Sequence, residues 1–355
     1  MNQVLRTTLL LSTMLFFTLA FSQQKQIKVL VLYDMEGVTG VTSVKHTSFG
    51  THPEYIAARQ SLTADVNAAI AGLKSAGVTE IVIVDGHGSG NTTGPDVFED
   101  QLLPPAKMIV RDKSFDIYMD SYDQSIDAII AIGMHAGAGN EKGFISHTYT
   151  IQDVQYKING VPFNESMILA AGASRYKIPL IMVSGDDQLS KEVERFLPWV
   201  KYATIKRAIN RSEADPVARE EASRRIESAA NNAIRSLSSV QIFTFPGPFR
   251  FALSFQNEAQ ARTAAMLQGA EPGNDVTTVQ VRTNDFEEGY RKSLQLISLA
   301  GTVMRAQELQ QVLNAQPNAK DLQNQYLDQI HNHWLTPLIP TVTTLPTQTR
   351  FWGAR

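Results

Sequence analysis

Apolar residues along this chain gather into short unbroken runs separated by segments of helical period. Residues 27–33 (IKVLVLY), 80–84 (EIVIV), 128–132 (AIIAI) and 179–183 (PLIMV) are continuous and rich in β-branched side chains. That is the pattern of strands buried on both faces of a parallel sheet. Between them, residues 54–75, 165–175 and 188–196 carry apolar side chains at helical spacing, and Gly77 supplies a stop after the first. Residues 107–110 read as a short strand; residues 144–150 alternate as a strand does, with 154–158 as a candidate partner. Strands alternating with helices predict an α/β fold with a mainly parallel sheet flanked by helices.

The pattern changes after about residue 200. A polar strand (204–212), a long helix (216–237), a strand (249–255), an Ala-rich helix, a strand (276–282) and a helix (286–304) predict a smaller C-terminal α+β portion. Residues 313–355 are rich in Gln, Asn, Thr and Pro and read as an appended tail with one helix near 322–331. The expected organisation is an α/β domain over 26–200, an α+β domain over 201–312, and the tail. No internal repeat is visible.

Residues 1–22 read as an export signal. Arg6 precedes the mostly apolar stretch from Leu9 to Phe21, and Ala20-Phe21-Ser22 places small residues at cleavage spacing. The alternative is a short membrane anchor, but the run is short against the roughly 20 residues a bilayer span needs. No later stretch is apolar and long enough to span. The expectation is an exported, periplasmic protein with no membrane association once the leader is removed.

Composition narrows the chemistry. Lys and Arg total 32 against 35 Asp and Glu, a formal charge of −3 in 355 residues, which argues against nucleic-acid binding driven by bulk positive charge. Cysteine is absent. Disulfides, Cys-ligated zinc, iron–sulfur clusters and thiol catalysis are excluded, so any metal must be held by His, Asp and Glu.

The polar residues concentrate where the apolar runs end. The strand runs are followed by Asp34-Met35-Glu36-Gly37, Asp85-Gly86-His87-Gly88, Gly133-Met134-His135-Ala136 and Gly185-Asp186-Asp187. Ligands of open α/β sheets bind beyond the carboxyl ends of the strands. Asp34 and Glu36, two apart, point the same way in extended chain. Glu165 opens a helix after a turn at Asn159-Gly160 and is placed to reach the same crevice. Imidazole with carboxylate and no thiolate suits Zn²⁺, Mn²⁺, Co²⁺ or Fe²⁺. Three carboxylates and two histidines exceed the needs of one tetrahedral zinc and suffice for two ions if one carboxylate bridges. A pair of ions about 3.5–4 Å apart activates water and stabilises an oxyanion.

Each motif also has a plainer reading. Asp34 and Glu36 are candidates for solvated loop carboxylates. The loop Gly86-His87-Gly88-Ser89-Gly90 is a candidate phosphate cradle, although it lacks the P-loop Lys-Ser/Thr and does not match GxGxxG. His135 is a candidate packing histidine. Asp186 and Asp187 read better as a helix N-cap and first-turn acid than as ligands. His46, His52, His331 and His333 read as surface residues.

Taken in order, the segments Asp34-Met35-Glu36-Gly37, Asp85-Gly86-His87, Gly133-Met134-His135-Ala136, Ser146-His147-Thr148, Asn159-Gly160-Val161-Pro162 leading to Glu165, and Gly185-Asp186-Asp187 resemble the dinuclear zinc D-aminopeptidases. The resemblance runs from about Lys28 to Met304 and takes in Lys206, Arg211-Ser212 and Thr277-Thr278-Val279. It implies two Zn²⁺ ions bridged by Asp34, with Glu36, His87, His135 and Glu165 completing their ligands. It implies His147 as the catalytic histidine, release of N-terminal D-residues from short peptides, and a ring-like homo-oligomer. Met134 stands where the family often has Tyr, and Asp85-Gly86-His87 replaces its Asp-Ser-His form; both bear on substrate preference. The leader also departs from a cytoplasmic setting. Two other functions are compatible with the residues: another dinuclear metallohydrolase, such as an amidase or phosphoesterase, and an exported peptide- or metal-binding protein without turnover.

Overall fold

The computed structural model describes residues 26–47, 52–88, 94–336 and 350–353. Residues 1–22, expected as an export signal, Ser89 and Gly90 of the glycine-rich loop, and tail residues 337–349 lie outside the described residues.

In chain order the strands are β1 (Lys28–Tyr33), β2 (Glu80–Asp85), β3 (Lys107–Met108), β4 (Ala128–Met134), β5 (Asp153–Ile158) and β6 (Val161–Pro162), then β7 (Leu180–Asp186), β8 (Lys201–Ala208), β9 (Ala214–Pro216), β10 (Phe249–Phe255), β11 (Ala270–Pro272) and β12 (Thr278–Thr283). The helices are α1 (Pro53–Ser75), α2 (Glu165–Ser174), α3 (Asp187–Phe196), α4 (Arg219–Arg235), α5 (Glu258–Ala264), α6 (Phe286–Asn314) and α7 (Ala319–Leu335). The strands form two sheets. The first has seven strands in the order β3-β2-β1-β4-β7-β8-β9, parallel except for β9. The second has five antiparallel strands in the order β11-β12-β10-β5-β6. This is the mainly parallel α/β architecture, with a smaller α+β portion, that the apolar pattern predicts.

The unbroken apolar runs have a direct physical cause. Both faces of the large sheet are covered, so neither parity of side chain meets water. Val29, Val31 and Tyr33 of β1 pack with Leu62, Val66 and Ile70 of α1 and Ile226 and Ala230 of α4. Leu30 and Leu32 face the opposite core, shared with Ile168 of α2, Leu189 of α3 and the inner face of the small sheet. That second sheet alternates, as a sheet with one covered face does. Phe249, Phe251, Leu253 and Phe255 of β10 are buried while the residues between them are half-exposed.

Three expectations change. The segment 144–150 is not a strand, and 154–158 pairs instead with β10 and β6. Its backbone bonds run outward to separate partners, and Ile145 and Tyr149 take positive φ of 46° and 68°, which no strand allows. The sheets do not divide at residue 200. β8 and β9 extend the large sheet, while β5 and β6 sit in the small one, because the hairpin at Asn159-Gly160 (φ 51° and 82°) turns that segment onto β10. The tail helix runs over Ala319–Leu335, and α6 continues to Asn314, both longer than the apolar period indicates. No helix among the described residues is long and apolar enough to cross a membrane.

Candidate metal centre

β1 is flanked by β2 on one side and β4 on the other, so successive connections leave β1 in opposite directions. This is the switch point of the sheet, and the crevice beyond it is where open α/β sheets hold ligands. Asp34 and Glu36 follow β1, His87 follows β2, and His135 follows β4. Two glycines make the approach possible. Gly37 N–H donates to Gly133 O at 2.7 Å, and a Cβ on Gly37 would lie 2.0 Å from Met134 O. Gly133 has φ +74°, and its Cβ would lie 2.4 Å from Asp34 O.

All five expected ligands converge, and all are buried or nearly so. His135 Nε2 lies 3.3 Å from Asp34 Oδ2 and 3.5 Å from Glu165 Oε1; His87 Nε2 lies 3.5 Å from Glu36 Oε1. Two sets of ligand-capable atoms each gather within 4.8 Å: Asp34, Glu36 and His135, and His135, His147 and Glu165. The set adjoins a cavity of about 170 Å³, lined in part by Ile117, Tyr118 and Tyr149. Glu165 opens α2, whose Asn164 N-cap accepts from Met167 N–H at 2.9 Å.

His147 reaches the site from the irregular 144–150 segment. Four backbone bonds hold that segment: Phe144 N–H to Asp186 Oδ2 (3.0 Å), Ile145 N–H to Arg211 O (2.9 Å), His147 N–H to Ala136 O (3.2 Å) and Tyr149 N–H to Glu165 Oε1 (2.6 Å). Asp186 is the N-cap of α3, accepting from Gln188 and Leu189 N–H, and Asp187 accepts from Ala208 N–H at 2.8 Å. Both aspartates are structural, in line with the plainer reading. His52, His331 and His333 are exposed, and His46 is half-buried against Ser43.

Two supporting residues, Asp96 and Tyr118, escape sequence reading, and a third, Lys206, enters it only through the resemblance. Asp96 Oδ2 lies 2.7 Å from His87 Nδ1 and so directs Nε2 at Glu36. Tyr118 Oη donates to Glu165 Oε2 at 2.5 Å. Lys206 Nζ donates to Glu36 O (2.6 Å) and Val41 O (2.7 Å), pinning the loop after β1. Burial brings the Lys206 ammonium down to about 7. Neither Asp96 nor Tyr118 belongs to a periodic pattern or a metal-ligand spacing. Lys206 carries a signal only in the family resemblance.

The electrostatics are those of crowded ligands. Burial, with the Glu36 charge beside it, raises Asp34 well above the usual carboxylate range. Against the opposing effect of burial, His87 holds Glu36 well below its ordinary value and His135 holds Glu165 at about 2. His87 and His135 are correspondingly raised by their carboxylates despite burial. Glu36 Oε2 is buried with no hydrogen-bond partner, and the buried His135 Nε2 meets the Asp34 and Glu165 carboxylates only at 3.3 and 3.5 Å. Orphaned lone pairs of this kind are costly in a dry interior unless something else uses them. A divalent cation does so and displaces the protons. The donor set therefore fits a metal centre.

Comparison with known proteins agrees with this geometry. The D-aminopeptidase model of the Peptidase M55 family matches residues 27–294. A D-aminopeptidase of Bacillus subtilis (strain 168) is 29% identical over 273 residues, covering 77% of this chain and 97% of the relative. The solved zinc-dependent D-aminopeptidase DppA from Bacillus subtilis, described as a self-compartmentalizing protease, superposes with a TM-score of 0.70 at 26% identity. That superposition covers 77% of this chain and 98% of the other. With the family model spanning most of its length, this chain belongs to the Peptidase M55 family of D-aminopeptidases.

Proposed function

We propose that this protein is an exported zinc peptidase that removes the N-terminal D-residue from short peptides, using two Zn²⁺ ions per chain. Asp34, Glu36, His87, His135 and Glu165 would hold them. The observation that carries the reading is the convergence of these five side chains, from four chain segments, beyond one sheet edge, with His135 Nε2 between the Asp34 and Glu165 carboxylates, His87 Nε2 against Glu36 and the buried Glu36 Oε2 without a hydrogen-bond partner. Bound zinc supplies Lewis acidity for the scissile carbonyl and lowers the pKa of water toward ~7.

The remaining work falls to the chain itself. His147 Nδ1 lies 2.7 Å from Ile145 O, an acceptor, so the proton sits on Nδ1 and Nε2 presents a lone pair to the site. Burial, and then the neighbouring His135, hold His147 below its ordinary value, so it is neutral at neutral pH. It is suited to accept a proton as the carbonyl is attacked and return it to the leaving amine. The Tyr118 hydroxyl and the Tyr149 N–H donate to the two oxygens of Glu165 and fix both. The small cavity suits a short peptide rather than a folded chain.

Export is supported by Arg6 and the apolar run to Phe21 ahead of Ser22. Short peptides of D-Ala derived from peptidoglycan, with the D-residue at the free amino end, are the substrates such a location offers. A ring-like homo-oligomer is supported by the self-compartmentalizing relative.

The test is a hydrolysis panel of D-Ala-D-Ala, L-Ala-L-Ala and a phosphoester on purified protein, with metal content measured alongside. The reading expects two zinc per chain, D-selective cleavage, loss on chelation and recovery with zinc. Phosphoester turnover alone, or peptide binding with no cleavage on long incubation, would overturn it.

A further inference from the structure

The C-terminal extension lies beyond the family match, which ends at residue 294. Its first part makes little use of the body: α7 buries none of its residues, and Trp334 is 79% exposed. Its last described residues do the opposite. Phe351 and Arg111 exchange both backbone hydrogen bonds, at 2.8 and 2.9 Å, as an isolated antiparallel bridge. Trp352 is only 6% exposed, and Gly353 O accepts from Phe115 N–H at 3.4 Å.

The seat of Gly353 is what matters for the site. A Cβ built there would lie 2.9 Å from Ile117 Cγ2 and 3.0 Å from Asp85 O. Asp85 ends β2 two residues before His87. Ile117 lines the metal-site cavity and precedes Tyr118, whose hydroxyl holds Glu165. The tail therefore touches both the segment that delivers His87 and the segment that orients Glu165.

We propose that residues 350–353 are a positioning element, wedged between the segments at Asp85 and Ile117, that sets the placement of His87 and Glu165 and so tightens zinc binding. The proposal rests on the zinc reading above. Outer supports of metal ligands commonly change affinity by about 10- to 100-fold when removed. A segment that merely covered apolar surface would instead lower thermal stability and leave zinc affinity alone.

The experiment uses the full-length protein, a chain ending at residue 349, and Gly353→Val, Trp352→Ala and Trp352→Phe variants. Zinc affinity is measured by competition with a chromophoric chelator, the Tm on chelator-treated protein, and kcat and KM with D-Ala-D-Ala. The expected result is zinc binding weakened roughly tenfold by truncation, Gly353→Val and Trp352→Ala. Trp352→Phe retains most of the affinity, and a synthetic peptide of residues 350–355 restores the truncated chain. Trp334→Ala, in the exposed helix, changes nothing. If the truncated chain does not fold, Gly353→Val decides the matter. Zinc affinity within about twofold of the intact protein, whatever happens to Tm, overturns the proposal. Failure of the intact protein to bind zinc overturns the zinc reading itself, and is told apart because it needs no variant.

Discussion

The imidazoles of His135 and His147 stack face to face, with 4.0 Å between ring centroids and 11° between planes. The two histidines share a neighbour in Glu165 Oε1, at 3.5 Å from His135 Nε2 and 3.9 Å from His147 Nε2. Their environments push them apart. Against the cost of burial, the Glu165 charge raises His135, whereas burial and the His135 charge lower His147. Stacked imidazoles so divided suit one ligand and one proton acceptor.

That division predicts a split between two variants. His135→Ala is expected to lose stoichiometric zinc and all hydrolysis. His147→Ala is expected to keep its zinc while kcat falls about 100- to 10,000-fold, the usual range for a lost acid–base group. Calorimetric zinc titration beside steady-state kinetics reads both. Zinc loss in His147→Ala would reassign His147 as a ligand, which its membership of the second ligand cluster permits.

Asp96 holds His87 through Nδ1 at 2.7 Å and is itself held by Tyr55 Oη and by the Tyr33 hydroxyl at its own N–H. Asp96→Asn is expected to weaken zinc binding by about 10- to 100-fold without unfolding the protein, since the anchor of the imidazole is lost and the ligand itself remains. Chelator competition with circular dichroism as a fold control checks this. An unchanged affinity would show that Glu36 alone orients His87.

Asp153 opens β5 with both carboxylate oxygens buried and without hydrogen-bond partners, and burial raises its pKa well above the ordinary value. Below about 3.8 the folded and unfolded chains both hold the proton and no penalty arises. As pH rises from there the unfolded chain releases its proton first, so stability falls until the folded group also ionises. Asp153→Asn should therefore raise Tm at pH 8, by roughly 2–4 °C per kcal/mol recovered. The gain should shrink steadily toward pH 4. A gain independent of pH would mean that packing, and not the charge, is responsible.

Gly133→Ala combines a left-handed backbone, φ +74°, with a Cβ 2.4 Å from Asp34 O. The backbone alone costs about 1–2 kcal/mol, and the clash adds to it by driving β4 from the loop after β1. Gly269→Ala is the control, with φ +81° and nothing within 4 Å of its Cβ. Urea midpoints should fall far more for Gly133→Ala, and zinc binding should fail there alone. Equal midpoints would remove the tight approach from the account.

Much of this molecule is legible in one dimension because the physics involved is local. A continuous run such as Ala128–Met134 has no polar side to expose, so it must lie inside a covered sheet. Alternation at Phe249–Phe255 requires one wet face and one dry. The chemistry-bearing residues stand just past such runs, so Asp34, Glu36, His87 and His135 mark one sheet edge before any coordinate is known. Glu165 is marked by its place at a helix start.

The 144–150 segment shows where that reading stops. Its alternation resembles a strand, but its backbone groups are claimed by Asp186, Arg211, Ala136 and Glu165, partners 11 to 66 positions away. Asp96 and Tyr118 are invisible for the same reason, since what matters is which imidazole or carboxylate they meet. The division of the sheets and the seating of residues 350–353 beside Ile117 are likewise outcomes of packing. The sequence by itself determined the buried strands, the helices between them and the side chains that stand at the strand ends, because hydrophobic period and strand polarity act along the chain. Only the tertiary structure decided how those side chains are aimed and what holds them, because hydrogen bonds and close backbone approaches depend on distance in space.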